Sequence, residues 1–278
     1  MFCVGWGLIV CRVRSKVAAL LGFGLLLLPA AAHAGAWTLS EGKGQAALIG
    51  TLSQASQIFD WKGNVVGAPR YTKFELQGLL EYGVTDRLTV MLLPGMQHVS
   101  IDVPGNPNRT GLGYTDLGAR YRVLEGQNWV LSGQATVRVP GTFDTGNPAA
   151  IGYTGFETDI RALFGYSFSV AGMATFINLE AAQRFRFGGP PSEFRFDATF
   201  GVRPAPNWLL LTQVFNVVSE GTGQAPFFSN SYNYHKLQVS VVYELNTRWA
   251  IQAGAFTTFA GRNALQENGG LVGAWYRF

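Results

Sequence analysis

The sequence predicts an all-β protein: a transmembrane, antiparallel, up-and-down β-barrel of about twelve strands that follows an N-terminal signal peptide. Charged residues make up only 14% of the 278 residues, whereas apolar residues make up 47%. A soluble domain typically carries about 25% charged residues. Polar and apolar residues alternate at period two over many segments, and the last of these segments ends the chain at Phe278. Such strands, with one face suited to lipid, are typical of membrane barrels.

The N-terminus has the pattern of a secretory leader. Three basic residues between positions 12 and 16 precede an apolar run over residues 17–28. This run is shorter than the roughly 20 residues that a spanning helix needs. Ala32 and Ala34 then supply the small residues that signal peptidase reads. We expect cleavage after about Ala34, which leaves residues 35–278 as one barrel domain; the alternative is an N-terminal membrane anchor.

Removal of residues 1–34 changes which function classes the composition allows. The leader takes three of the 21 basic residues and both cysteines, Cys3 and Cys11, so 18 basic residues face 17 acidic ones. A net charge of +1 does not support the basic stripe of a nucleic-acid-binding protein. A chain without cysteine excludes thiol catalysis and cysteine-bound zinc or iron–sulfur clusters. No nucleotide or metal motif occurs, so we expect no cofactor.

The clearest alternation runs from Glu193 to Arg203, where charged residues oppose phenylalanines. The segment over residues 208–219 alternates poorly, and its two faces stay unassigned; the segment near residue 51 is also weak. In all, twelve segments read as strands. They are centred near residues 51, 76, 92, 119, 133, 161, 181, 198, 213, 240, 254 and 273.

The connections between these segments alternate in length. Five short turns are predicted at residues 84–87, 125–128, 169–172, 204–207 and 246–248. Six longer loops are predicted at residues 60–69, 102–113, 140–155, 188–192, 220–233 and 261–268. Outer-membrane barrels have short periplasmic turns and longer extracellular loops. A soluble β-sandwich is the alternative, but the loop asymmetry, the aromatic content and the C-terminus favour the barrel.

The last ten residues alternate outward-type Val272, Tyr276 and Phe278 with inward-type Trp275 and Arg277. A terminal phenylalanine that closes an amphipathic strand resembles the assembly signal of bacterial outer-membrane barrels. We therefore expect the barrel-assembly machinery to recognise Phe278, and we expect the lipid bilayer of the outer membrane to surround the protein. Closure of the sheet is required because an open edge in lipid leaves backbone groups unpaired.

If the polar face points inward, charged residues line the lumen. One interpretation is a salt-bridge network that fills a narrow interior. The other is a narrow pore with a mildly basic lining, which would favour anions or polar solutes. The predicted lumen-lining residues are Lys73, Glu75, Glu81, Asp116, Arg120, Arg122, Arg138, Glu157, Asp159, Arg161, Glu180, Arg184, Arg186, Arg195, Asp197, Lys236 and Glu244, with Arg87, Glu193, Arg203 and Arg277 on the same parity.

Few residues suggest catalysis, and no Ser-His-Asp arrangement is evident. Ser100 near His98 is a weak candidate for an outer-membrane lipid enzyme, without an acyl-transfer motif around it. We therefore expect no enzymatic activity. The long loop that ends near residue 234 is instead rich in aromatic residues, which suggests contacts with extracellular partners; these are Phe227, Phe228, Tyr232 and Tyr234.

Three stretches, over residues 82–88, 111–122 and 137–141, resemble the outer-membrane family that is named for the meta-pathway of phenol degradation. The first reads Tyr-Gly-Val-Thr-Asp-Arg-Leu, and the second ends in Asp-Leu-Gly-Ala-Arg-Tyr-Arg. The resemblance runs from about residue 40 to 278. The chain departs from the pattern at Tyr114, where the family often has aspartate, and Asp116 lies two positions on. The resemblance implies passage of small hydrophobic or aromatic compounds, and it carries over no substrate residue.

These observations predict a passive outer-membrane channel or transporter for small molecules, without energy coupling. The first alternative is a structural or surface-interaction barrel with a plugged lumen. The second is an outer-membrane lipid enzyme.

Overall fold

The computed structural model describes residues 35–142, 155–224 and 230–278. The predicted signal peptide, residues 1–34, lies outside the described residues. Within the described ranges the chain forms β-strands and turns and contains no helix, so none of it offers a helix that could cross a membrane.

Fifteen strands belong to one antiparallel sheet. They are β1 (Gly44–Phe59), β2 (Val65–Thr85), β3 (Leu88–Leu93), β4 (Gly95–Ile101), β5 (Asn108–Leu112), β6 (Thr115–Glu125), β7 (Trp129–Val139), β8 (Glu157–Val170), β9 (Met173–Arg186), β10 (Glu193–Ala205), β11 (Trp208–Ser219), β12 (Asn233–Glu244), β13 (Trp249–Arg262), β14 (Ala264–Leu265) and β15 (Asn268–Arg277).

These fifteen segments form the twelve strands of a closed barrel, because three of the twelve strands are each interrupted once. β3 and β4 are separated by Pro94, and both pair with β2. Proline has no backbone N–H to donate, so it interrupts a ladder locally. β5 and β6 likewise continue one another beside β4 and β3, and β14 and β15 do so beside β1, although no proline separates these pairs. The predicted twelve-stranded antiparallel barrel is confirmed.

The barrel closes where the first and last strands meet. β1 pairs with β2 on one side and with β15 on the other, where Gln45 is opposite Arg277. Gly44 and Phe278 complete the seam by exchanging two backbone hydrogen bonds, each 2.9 Å long. Both ends of the described barrel wall therefore lie on the side of the short turns.

The alternation of side chains follows the sequence pattern. On β10, Phe194 and Phe196 are 46% and 42% exposed on the outer face, whereas Glu193 and Asp197 are buried inside. Aromatic side chains also form a girdle on the outer face at the short-turn end. Its pairs are Trp129 with Phe164, Tyr166 with Phe168, Trp208 with Tyr243, and Trp249 with Tyr276. Such girdles lie at the membrane–water interface.

Three of the predicted loops are shorter than expected because strands extend into them. The predicted loop over residues 261–268 contains the end of β13, all of β14 and the first residue of β15. The predicted loop over residues 60–69 spans only 60–64, since β2 begins at Val65. The predicted loop over 102–113 spans 102–107, since β5 occupies Asn108–Leu112. At the opposite end, Ala171 and Gly172 form a two-residue turn with φ values of 50° and 78°. Positive φ at both positions is the requirement of a type I′ hairpin.

Candidate functional site in the barrel lumen

The lumen contains a continuous network of paired charges on the inner faces of β6 to β10, which we term the ion-pair ladder. Arg138 contacts Asp116 at 2.8 Å and Glu157 at 3.2 Å. The other oxygen of Glu157 accepts a hydrogen bond from Arg186, which also reaches Glu193. Alternating parity places each of these groups inward, so adjacent strands bring opposite charges together.

A second part of the ladder lies nearer the short-turn end. Arg161 pairs with Asp159, with Glu180 and with Asp197. Arg184 contacts the other oxygen of Asp159 at 3.1 Å. Because each arginine spans two or three strands, the ladder ties the barrel wall together across its interior. Arginine suits this geometry because its planar guanidinium carries five donors.

Further pairs lie elsewhere on the inner face. Arg120 contacts Glu81 at 3.1 Å, and Lys73 contacts Glu75 at 3.2 Å. Glu244 joins Arg203 and Arg277 near the short-turn end. Every acidic residue predicted to line the lumen therefore forms an ion pair.

Three basic residues differ from the expected arrangement. Arg87 does not line the lumen, because it lies exposed in the turn between β2 and β3. Arg122 lies at the short-turn rim and pairs with the exposed Glu125. Arg195 faces inward on β10, yet it forms no ion pair within the described residues.

One ion pair of the lumen was missed by sequence reasoning. Lys236 on β12 contacts Glu267 at 2.8 Å. Glu267 lies between β14 and β15, inside the stretch that the sequence predicts as a loop. Glu267 directly precedes the alternating C-terminal strand, and this position is the feature of the sequence that could have indicated that it faces the lumen.

An unpredicted element occupies the lumen at the short-turn end: residues 35–43, which precede β1 and which we term the N-terminal segment. Its backbone is held by inward side chains of the wall. Arg120 donates to the carbonyl oxygen of Trp37 at 3.1 Å, and Ser132 donates to that of Ala36. Thr89 accepts a hydrogen bond of 2.8 Å from the amide of Leu39. The segment therefore runs inside the barrel from the middle of the wall to the short-turn rim.

Trp37 is the main side-chain anchor of the N-terminal segment. Its ring makes an edge-to-face contact with Phe176, with ring centroids 6.0 Å apart. It also covers Gly165, where a Cβ atom would lie 2.7 Å from the ring. The N-terminal segment and an apolar cluster of inward side chains fill this end of the lumen. The cluster consists of Ala47, Phe176, Leu209, Leu211, Val242, Ala250 and Trp275.

The apolar cluster explains why the β11 sequence alternates poorly. Leu209 and Leu211 are 0% and 6% exposed on the inner face, whereas Trp208 and Leu210 are 45% and 43% exposed on the outer face. Both faces of this half of β11 are apolar, because one meets lipid and the other meets the apolar cluster.

The structure describes two of the four aromatic residues that were predicted to contact extracellular partners. Phe227 and Phe228 lie outside the described residues. Tyr232 donates its hydroxyl hydrogen to Glu193 and accepts a hydrogen bond of 2.7 Å from Arg186. Burial raises the pKa of the Tyr232 hydroxyl, which keeps it protonated as a donor. Its hydroxyl therefore extends the ion-pair ladder instead of standing free for a partner. Tyr234 lies within β12, opposite Val217, and not in the loop.

The structure does not support the weak catalytic candidate. Nδ1 of His98 hydrogen-bonds the Thr110 hydroxyl at 2.7 Å. Ser100 is not its partner, although both residues lie on the outer parity of β4. The imidazole is therefore engaged by a threonine and not by the candidate serine.

The stretches that carry the family resemblance lie side by side. Residues 82–88 form the β2–β3 turn and its flanks, and residues 111–122 and 137–141 lie on β5 to β7. β6 pairs with both β3 and β7, so the three stretches form one part of the wall. At the departure from the family pattern, the Tyr114 ring lies 4.7 Å from the Arg138 guanidinium, which also contacts Asp116 at 2.8 Å.

A closed barrel with a lipid-compatible outer face, an aromatic girdle and a charged interior defines an outer-membrane β-barrel protein. The family model described as "Putative MetA-pathway of phenol degradation" matches residues 53–278, and the chain belongs to this family. The resemblance seen in the sequence is thereby confirmed. A search of curated protein sequences finds no match.

Solved structures show the same architecture. An outer membrane channel from Pseudomonas putida F1 is 17% identical, with a TM-score of 0.73, over 87% of this chain and 98% of that chain. The β domain of the Bordetella autotransporter BrkA is 13% identical, with a TM-score of 0.53, over 86% and 100%. The NanC porin is 9% identical, with a TM-score of 0.50, over 83% and 98%. At these identities the likeness concerns the fold.

Proposed function

We propose that the protein is a passive outer-membrane channel for small uncharged solutes, hydrophobic or aromatic compounds among them, and that it is not an enzyme. The observation that carries this proposal is the pairing of the lumen charges. A paired lining has little net field to select ions. It therefore argues against the anion preference that an unpaired basic lining would give.

The part of the wall next to the ion-pair ladder supports the same solute class. On the inner faces of β11 and β12, Gln238 donates to Gln213 at 3.0 Å, and Phe215 lies on the same inner face. The Phe256 ring on β13 lies 4.8 Å from the Lys236 ammonium. Amides and aromatic rings together suit a small apolar molecule that carries a polar group.

The test combines conductance with uptake. Reconstituted barrel in planar bilayers should give a small conductance with little preference between anions and cations. Deletion of the gene should slow growth on, or uptake of, an aromatic compound at low external concentration. Strong anion selectivity, or unchanged uptake in the deletion strain, would refute the proposal.

A second candidate function is a structural barrel with a permanently plugged lumen. The N-terminal segment and the apolar cluster favour it, because together they fill the short-turn half of the lumen. A barrel that stays silent at all voltages, even after residues 35–39 are removed, would support this candidate against the channel.

We further propose that residues 1–34 are cleaved as a leader and that the assembly machinery recognises Phe278. Amino-terminal sequencing of outer-membrane protein should start at Gly35. Removal of Phe278 should lower the yield of folded barrel, measured as heat-modifiable migration on gels; an unchanged yield would refute the role of Phe278.

A further inference from the structure

Four nitrogen-bearing side chains form a patch on the outer face of the wall, where β11, β12 and β13 approach the extracellular loops. We term it the outer polar patch; it consists of Asn216, His235, Asn233 and Arg262. His235 is opposite Asn216, and Asn233 is opposite Arg262. A β-bulge in β13 turns Phe259 outward beside His235, with ring centroids 6.2 Å apart. Bulges that re-aim side chains are frequent next to functional sites.

The outer polar patch lies at the headgroup level of the extracellular leaflet. Tyr243, in the aromatic girdle at the short-turn end, is ten positions from Asn233 on the same strand, β12. A barrel strand rises about 3.3 Å per residue and tilts by about 40°, so these positions span about 25 Å of depth. The apolar band of an outer-membrane barrel is about 25 Å tall. The girdle and the patch therefore mark its two edges.

The wall below the outer polar patch is suited to acyl chains. The outer faces of β10 to β13 are mostly apolar between the patch and the girdle; Phe196 and Val239, for example, are 42% and 50% exposed. All four strands are fully described, and none carries an acidic side chain on its outer face. Arg262 is exposed and forms no ion pair within the described residues. An anion at this level therefore meets a cation without a competing carboxylate.

The hydrogen bonds within the patch leave groups on His235 and Arg262 for a ligand. Asn216 donates an amide hydrogen to the carbonyl oxygen of Phe196 at 2.7 Å, so its side-chain oxygen faces Nδ1 of His235 at 2.8 Å. Nδ1 therefore carries the hydrogen of the neutral ring, and Nε2 can accept a hydrogen bond from a hydroxyl or amide group. The guanidinium of Arg262 supplies donors that match phosphate oxygens.

A hollow of about 560 Å³ adjoins the patch at the extracellular end. Its volume falls within the roughly 300–1,000 Å³ of small-molecule sites. Arg262 lines it together with hydroxyl- and amide-bearing side chains, among them Thr222, Asn230 and Ser231. A headgroup bound at Arg262 therefore has room beside it and further polar partners.

We propose that the outer polar patch binds lipid A, the phosphorylated saccharolipid of the extracellular leaflet. A phosphate group contacts Arg262, a hydroxyl or amide group of the sugars donates to His235, and the acyl chains lie against the apolar outer faces below. The extracellular leaflet of an outer membrane consists of lipopolysaccharide, so its lipid A part is the lipid present at this level. Its sugars carry phosphate, hydroxyl and amide groups together, which is the combination that the patch can recognise.

The experiment is native mass spectrometry of the mature barrel, purified in detergent and freed of lipopolysaccharide. The barrel is titrated with lipid A and, separately, with lipid A from which the phosphates have been removed. Wild-type protein should bind lipid A about fivefold more tightly than the dephosphorylated form, because one arginine near an anionic headgroup contributes about 1 kcal/mol. Arg262→Gln should remove this preference and leave the affinity for the dephosphorylated form unchanged.

His235→Phe should have a different effect, because it removes a neutral hydrogen bond and keeps an aromatic ring beside Phe259. It should weaken binding of both lipids by about fivefold and preserve the preference for phosphate. Arg248→Gln is the matched control, since Arg248 is equally exposed but lies in the short turn after β12, at the opposite end of the barrel. This variant should bind both lipids as the wild-type protein does.

Heat-modifiable migration on gels verifies that every variant is folded before lipid is added. Equal affinity of wild-type protein for the two lipids would overturn the proposal, and so would an unchanged preference in Arg262→Gln. An equal loss in Arg248→Gln, or displacement of lipid A by inorganic phosphate alone, would also overturn it. None of these outcomes bears on conductance, so the lipid site and the channel are tested separately.

Discussion

Replacement of Trp37 by alanine should loosen the N-terminal segment and raise the conductance of the barrel. Burial of a large apolar side chain contributes about 1.5–3 kcal/mol, and an edge-to-face aromatic contact adds about 0.5–1.5 kcal/mol. Trp37 is only partly buried, although it packs on both Phe176 and Gly165. We therefore expect the docked segment to lose about 2–3 kcal/mol, which is roughly a 30- to 150-fold shift toward the undocked state.

The assay is single-channel recording in planar bilayers, with open probability as the measured quantity. Gly165→Ala should act in the same direction while it keeps the tryptophan, because its new methyl group would meet the Trp37 ring. Trp61→Ala is the control, since Trp61 is 68% exposed in the loop after β1. If both lumen variants fold and keep the open probability of the wild-type protein, the N-terminal segment does not limit conductance.

Three further predictions concern stability and assembly. Glu157→Gln should lower the free energy of unfolding by about 3 kcal/mol in urea titrations, because it removes the buried carboxylate that the partly buried guanidiniums of Arg138 and Arg186 contact; the exposed Glu41→Gln should change it little. Ala171→Gly should raise the unfolding free energy by about 1 kcal/mol, since Ala171 has φ 50°, and a lower value would contradict the strain argument. Gly44→Ala should slow barrel closure in refolding assays, because a Cβ atom there would lie 2.3 Å from the Phe278 ring; an unchanged rate would mean that the ring moves aside freely.

The strands were predictable where each face of the wall meets a different medium. On β10, the charged residues face the ion-pair ladder and the phenylalanines face lipid, so the period of two is visible in the sequence. On β11, Leu209 and Leu211 face the apolar cluster, and the period disappears. The alternation fails at β11 for a physical reason. The side chains that pack against its inner face come from distant parts of the chain.

The charged residues of the lumen could be predicted by parity, but their partners could not. Arg161 reaches Glu180 on β9 and Asp197 on β10, and such pairings depend on the stagger between strands. The N-terminal segment was not predicted, because nine residues without periodicity carry no strand signal. Its aromatic residue, Trp37, between the expected cleavage site and the first strand, is the feature that could have indicated it.

The ion-pair ladder and the N-terminal segment differ in the free energy that is needed to displace them from the lumen. Opening the ion-pair ladder would separate several buried pairs, and each broken pair costs about 3–5 kcal/mol. Releasing the N-terminal segment breaks neutral or singly charged hydrogen bonds, each worth about 0.5–3 kcal/mol, and the packing of one tryptophan.

Passage through the lumen should therefore be controlled by the N-terminal segment and not by the ladder. We expect Trp37→Ala to raise the open probability, Glu157→Gln to leave it unchanged, and the double variant to match Trp37→Ala. Each variant is checked for heat-modifiable migration and is then recorded under the same salt. A rise in open probability with Glu157→Gln alone would contradict this prediction, because it would show that the ion-pair ladder and not the N-terminal segment limits passage.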